Sequence, residues 1–175
     1  MRRLLLLRHA KAERALPGGR DHDRVLEARG RTDAKKLGAY LARHDFVPER
    51  AVVSTSARTR ETWALLATAF SKVPPVSFDD RIYDASPDTI LKAIKETGRE
   101  TGTLLVVGHN PGLQELAAML VASGDIDARE RLGEDFPTSA LALISFAPAD
   151  WSGVHPQGGR LEHFVTPRWL ETATD

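Results

Sequence analysis

Two histidines in this chain each follow a short apolar run: His9 in Leu7-Arg8-His9-Ala10 and His109 in Val107-Gly108-His109-Asn110. An imidazole can act as a nucleophile, carry a proton or serve as a cationic ligand. A third apolar run ends in Ser54-Thr55-Ser56-Ala57-Arg58, and an arginine presents a planar fork of donors shaped for carboxylate or phosphate. Brought together, two arginines and two imidazoles suit an anion, and a phosphoryl group is the best match. The Asn110-Pro111 pair reads as a helix cap followed by a first-turn proline. That start would add unpaired backbone N–H groups and a positive dipole end at the same place. Taken singly, each fragment has an ordinary explanation: a histidine after a strand is often a cap, and Arg58 beside Arg60 and Glu61 fits a solvated helix face.

Whether these fragments meet depends on the elements that carry them. Leu4 to Leu7 is an uninterrupted apolar run, the pattern of a strand buried on both faces of a parallel sheet. Ala34, Leu37, Leu41 and Ala42 recur at helical spacing between Arg29 and His44, and Pro48 ends that period. Ala51 to Ser54 predicts a second strand, followed by a helix carrying Trp63, Leu66, Ala67 and Phe70, and Val76 to Phe78 a third strand. Ser86-Pro87 opens a helix with Ile90, Leu91 and Ile94, and Thr103 to Val107 is the clearest strand. The helix after Pro111 bears Leu113, Leu116, Ala117, Leu120 and Val121, while Ala140 to Phe146 and Arg160 to Val165 read as late strands, antiparallel edges of the sheet. Residues 124–138 and 147–159 read as loops, and the last ten as a docked or frayed tail. Core packing is the default for Trp151, Trp169 and Leu170. Strand and helix alternate, which predicts an α/β fold: a three-layer α/β/α sandwich with a mostly parallel central sheet. In such sheets ligands bind outside the carboxyl ends of the strands, where Arg8-His9, Arg58 and His109 fall.

Composition narrows the class. The 175 residues suit one domain, read as 1–175, and 24 basic side chains balance 24 acidic ones. That balance argues against a protein that grips nucleic acid by neutralising phosphates. With no cysteine, a thiolate nucleophile, a disulfide scaffold and a sulfur-bound zinc are excluded. Arg8 and His9 end the first apolar run after four residues, too few for a signal peptide or membrane span, so a cytoplasmic location is expected.

At the level of motifs the chain resembles the histidine phosphatase superfamily, the phosphoglycerate mutase-like enzymes, and within it the SixA-type phosphohistidine phosphatases. The resemblance rests on Leu7-Arg8-His9-Ala10-Lys11-Ala12-Glu13, on Asp23-Arg24-Val25-Leu26 with Arg29-Gly30, on Ser54-Thr55-Ser56-Ala57-Arg58 with Thr62, and on Val106-Val107-Gly108-His109-Asn110-Pro111-Gly112. It covers about residues 3–146 and leaves 147–175, the C-terminal strand and tail, unsupported.

The resemblance implies that His9 is the nucleophile, carrying a transient phosphoryl group that water discharges. It implies that Arg8, Arg58 and His109 hold the phosphoryl oxygens, with His109 protonated, and that His9 donates its other ring N–H to a backbone carbonyl. Arg24 becomes a further oxygen ligand, or else a loop arginine paired with Asp21 or Asp23. Lys11 belongs to the rim, and Asn110 is a ligand or simply a helix cap. Larger relatives carry an acid that protonates the leaving oxygen; here Asp80 comes nearest, with Asp84 the competitor and a plain Asp-rich turn the alternative. No cofactor is implied. The expected substrate is phosphohistidine on a phosphocarrier or a histidine phosphotransfer domain. Alternatives are a small phosphate ester, a non-catalytic phosphate-binding module on the same fold, and a metal hydrolase using His9, His22, His109 and nearby aspartates.

Overall fold

The computed structural model describes residues 1–173. Strand β1 (Arg2–Arg8) runs through the middle of the protein, with Leu4 to Leu7 fully buried. It pairs in parallel with β4 (Thr103–Gly108) and antiparallel with β6 (Leu141–Phe146). Beyond β4 lie β2 (Arg50–Val53) and β3 (Val76–Phe78), both parallel; beyond β6 lie β7 (Gly159–Val165) and β5 (Val121–Gly124). The order across the seven-stranded sheet is β3-β2-β4-β1-β6-β7-β5. Alternation along each strand sends successive side chains to opposite faces. Leu4, Leu6, Leu104 and Val106 therefore pack on one side against α3 (Pro87–Lys95), α4 (Gly112–Leu120) and α5 (Ile126–Glu134). Leu5, Leu7, Leu105 and Val107 pack on the other against α1 (Ala28–Arg43) and α2 (Ala57–Ala67). These are the three layers expected from the sequence.

Local chemistry sets the helix starts near the strand ends. Ser56 caps α2 by accepting from the Thr59 N–H, and Ser86 caps α3 from the Thr89 N–H with Pro87 in the first turn. The reading of Asn110-Pro111 needs correction: the bond is cis, and α4 begins after it at Gly112. Asn110 does cap the helix, because its Oδ1 accepts from the Gln114 N–H at 3.2 Å. The Leu113 N–H is taken by the His109 carbonyl. The first turn therefore does not leave those N–H groups free for a ligand, as the proline signal alone suggested.

Three further expectations change. Residues 124–138 are not all loop, since they contain α5, whose apolar stripe is only Ala128 and Leu132. Val121 leaves the helical period to start β5, whose partner is β7, far away in sequence. Neither late strand is an edge: β6 lies between β1 and β7 with all six residues buried, and β7 lies between β6 and β5. In residues 147–159 a 3₁₀ turn, Trp151–Gly153, places Trp151 in the core with its indole N–H on the Thr101 carbonyl at 2.7 Å. Helix α6 (Pro167–Thr172) docks Trp169 and Leu170 against the α1/α2 side; residues 174–175 of the expected tail lie outside the described residues.

Gly30 of the Arg29-Gly30 motif has a specific reason to be glycine. A Cβ there would stand 2.1 Å from the Lys11 carbonyl oxygen and 2.9 Å from its nitrogen, so α1 seats directly on the backbone two residues beyond His9. Gly30→Ala should lower stability by about 1–3 kcal/mol, the usual range for overpacking. Gly133→Ala, where nothing lies within 4 Å of the added carbon, should be neutral or stabilise by up to about 1 kcal/mol through helix propensity. Urea melts of both variants check this contrast; equal behaviour would remove the steric explanation.

Candidate active site

The register of β1 on β4 pairs Arg8 with Gly108, and the His9 N–H extends the ladder to the Gly108 carbonyl at 3.1 Å. His9 and His109 consequently leave adjacent strand ends, with ring centroids 5.4 Å apart. Strand β2 ends one position away, where the Ser54 N–H bonds the Val107 carbonyl. Arg58, in the first turn of α2, brings an almost wholly buried guanidinium to within 3.3 Å of His109 Nδ1. Arg8 donates to the Phe136 carbonyl at 3.0 Å, and the Asn110 amide donates to that same oxygen at 3.2 Å. The four residues predicted to converge, Arg8, His9, Arg58 and His109, lie together.

Hydrogen bonds define both imidazoles. His9 Nδ1 lies 2.8 Å from the Ala10 carbonyl, which can only accept, so Nδ1 carries the proton and Nε2 keeps its lone pair. Ala10 itself is fully buried, and its N–H donates to Thr62 Oγ1 at 3.0 Å, which anchors the loop to α2. His109 Nδ1 faces the Arg58 guanidinium, which can only donate, so Nδ1 accepts; Nε2–H then donates to Ser54 Oγ at 2.7 Å. Burial, with Arg58, Arg8 and Arg24 nearby, pushes His9 down to about 4 against the opposing bond to Ala10. Burial, His9 and Arg58 push His109 down to about 3. In the free site His109 is therefore held neutral, because an imidazolium would be desolvated beside two guanidiniums; the protonated ring expected from the resemblance belongs to the phosphate-bound site. Nε of Arg8 and Nε of Arg58 are buried without a hydrogen-bond partner.

The other candidates divide. Asp80 accepts from Thr55 Oγ1 at 2.6 Å, and that hydroxyl also meets His22 Nε2 at 3.0 Å. Asp84 comes closer to the imidazole cluster, its carboxylate 3.7 Å from His109 Nδ1 and 3.9 Å from the Arg58 guanidinium. Arg24 donates to the Glu13 carbonyl and to Asp21 Oδ1, so the predicted pairing with Asp21 is present. Lys11 is exposed, 3.4 Å from Glu27, on the wall of a cavity of about 540 Å³ that Arg29, Asp135, Pro137, Phe164 and Arg168 also line. That cavity lies to one side, since His9, Arg58 and His109 do not line it. Asp21, expected only as an alternative loop partner of Arg24, receives bonds from Arg24, Arg58 and Tyr83; its i, i+3 spacing to Arg24 is the one signal of this in the sequence. Ser139 was missed altogether. Its N–H bridges the Arg8 and His9 carbonyls, and no motif marks it. Among the described residues no group of three or more His, Asp or Glu is placed to hold a metal ion.

The model of the histidine phosphatase superfamily (branch 1) matches residues 4–86. An uncharacterized protein of Mycobacterium tuberculosis, Rv1276c, is 37% identical over 165 residues, spanning 93% of this chain and all of the relative. A crystal structure from Agrobacterium tumefaciens, provisionally named the phosphohistidine phosphatase SixA, is 33% identical with a TM-score of 0.79 over 95% of this chain and 98% of its own. A second structure so named, from Nakamurella, is 30% identical with a TM-score of 0.83, covering 95% and 96%. The chain belongs to the histidine phosphatase superfamily. It is a phosphatase of SixA type with the phosphoglycerate mutase-like fold, and its substrate carries a phosphoryl group. No helix among the described residues is long and apolar enough to cross a membrane.

A pH dependence follows for this phosphatase. In the unfolded chain both histidines would titrate near 6.5, whereas in the folded chain they stay neutral to about pH 4 and 3. As pH falls from about 6.5 towards 4, the unfolded state binds protons that the folded state refuses, so stability declines across that window and is indifferent to these rings above it. Imidazole proton resonances of His9 and His109 should show no titration above about pH 5; a midpoint near 6.5 for either ring would contradict the buried, cation-flanked environment.

Proposed function

We propose that this phosphatase hydrolyses phosphohistidine borne by another protein, a phosphocarrier or a histidine phosphotransfer domain, through a covalent intermediate on His9. The observation that supports it most is the state of His9: neutral, oriented by Ala10, and keeping its Nε2 lone pair among Arg8, Arg58 and His109. In this reading Nε2 attacks phosphorus while the bond to the substrate's imidazole nitrogen breaks. Water then attacks phospho-His9, releasing orthophosphate and restoring the ring. Arg8 and Arg58 stabilise the equatorial oxygens as charge spreads over them. Arrival of the phosphoryl anion favours protonation of His109 at Nδ1, converting an acceptor into a donor toward that anion.

Imidazole is a better leaving group than an alkoxide, so this substrate makes a small demand on a general acid. The second reading, a small-ester phosphatase, needs one, and the nearness of Asp84 to His109 is the observation in its favour. Two measurements separate them. With a ³²P-phosphohistidine protein as donor, rapid quenching should trap acid-labile label on His9, and His9→Ala should lose roughly 10³-fold or more of turnover. Asp84→Asn should leave phosphohistidine hydrolysis within about threefold, whereas a true ester phosphatase would lose about 10²–10⁴-fold on its ester. Label on any other residue would reject the His9 mechanism.

A further inference from the structure

Asp21 engages the guanidinium of Arg58, an arginine assigned to the phosphoryl group in the proposed reaction. Its Oδ2 accepts from Arg58 at 3.1 Å and from the Tyr83 hydroxyl at 2.5 Å, its Oδ1 accepts from Arg24 at 3.0 Å, and its backbone carbonyl takes the other terminal nitrogen of Arg58 at 2.9 Å. Both terminal nitrogens of Arg58 are thus engaged by one residue. Only Nε lacks a partner, and it is buried. Such bonds hold the carboxyl group well below the usual carboxylate range, led by the Tyr83 hydroxyl and followed by Arg24 and Arg58, so Asp21 is an anion at any working pH.

The residue is also placed to leave. It belongs to a 3₁₀ turn, Asp21–Asp23, with no buried residue, and about half of its side-chain surface faces solvent. Displacing an exposed carboxylate into water costs far less than uncovering a buried one.

We propose that Asp21 is a resident competitor for the phosphoryl-binding arginines: its carboxylate occupies Arg58 and Arg24 in the free enzyme, yields to the incoming phosphoryl group, and returns to weaken the hold on product phosphate. This rests on the proposed role of Arg58 as a phosphoryl ligand. Like charges sharing one guanidinium oppose each other, so the carboxylate lowers affinity for every phosphoryl species by a similar factor, free orthophosphate included. A substrate that brings a protein surface has contacts to offset that penalty; the product has none.

Calorimetric titration of the full chain with inorganic phosphate at pH 7.5 tests this without relying on turnover. Asp21→Asn, which keeps the size and removes the charge, should bind phosphate about five- to tenfold more tightly than the unaltered protein. Tyr83→Phe, which loosens the carboxylate without removing it, should tighten binding about twofold. The inhibition constant of phosphate against p-nitrophenyl phosphate should fall in parallel. Equal or weaker binding by Asp21→Asn overturns the proposal and makes Asp21 an aligning partner of Arg58. If that variant does not fold by thermal melting, Tyr83→Phe decides by the same criterion. Arg58→Ala identifies which premise failed: loss of binding there, with Asp21→Asn unchanged, rejects the competitor alone. Undiminished binding in Arg58→Ala rejects the phosphoryl site and the competitor with it.

Discussion

The pairing of β1 with β4 is the constraint on which this site depends. Six parallel register positions, from Arg3 opposite Thr103 to Arg8 opposite Gly108, deliver His9 and His109 to neighbouring positions at one sheet edge. A slip of a single residue would turn every side chain of β1 to the opposite face. Leu4 and Leu6 would exchange layers with Leu5 and Leu7, and the two imidazoles would no longer face one another. The core and the active site are therefore specified by the same ladder. The leucines that fix the register do so because both faces of the strand are fully buried.

Within that frame, desolvation and a surplus of guanidinium charge act on the imidazoles in the same direction. Arg58 lowers the proton affinity of both rings, and burial is the larger contribution to each. A neutral His9 keeps its Nε2 lone pair, and a neutral His109 has its Nδ1 turned to Arg58. The carboxylates of Asp21 and Asp84 stand on the solvent side and partly neutralise Arg58. The free site is thus a set of opposing charges held at short range, whose balance an incoming dianion would redistribute.

Much of this was legible in the sequence, for physical reasons that differ by residue. The run Leu4–Leu7 reads as a doubly buried strand because nothing polar interrupts it, and the Ser56 and Ser86 caps read correctly because capping is local chemistry. Strand β5 was not legible: Val121 continues a helical apolar period, and only its pairing with β7, some forty residues away, ends the helix. Helix α5 buries two apolar residues on an otherwise charged segment, a stripe too narrow to announce itself. The neutrality of His109 depends on burial and on Arg58, fifty-one residues distant in the chain. Asp21 likewise looked like a loop partner for Arg24; that it also holds Arg58 and Tyr83 is a product of tertiary structure.

The Phe136 carbonyl, shared by Arg8 and Asn110, comes from the main chain, well beyond the residues that the family model matches. An oxygen supplied by the backbone survives any substitution that still fills the hole beneath it. Relatives could therefore differ in the identity of residue 136 while holding the arginine in the same place. In comparisons among these proteins, the path of the chain through this segment carries the information that its letters do not.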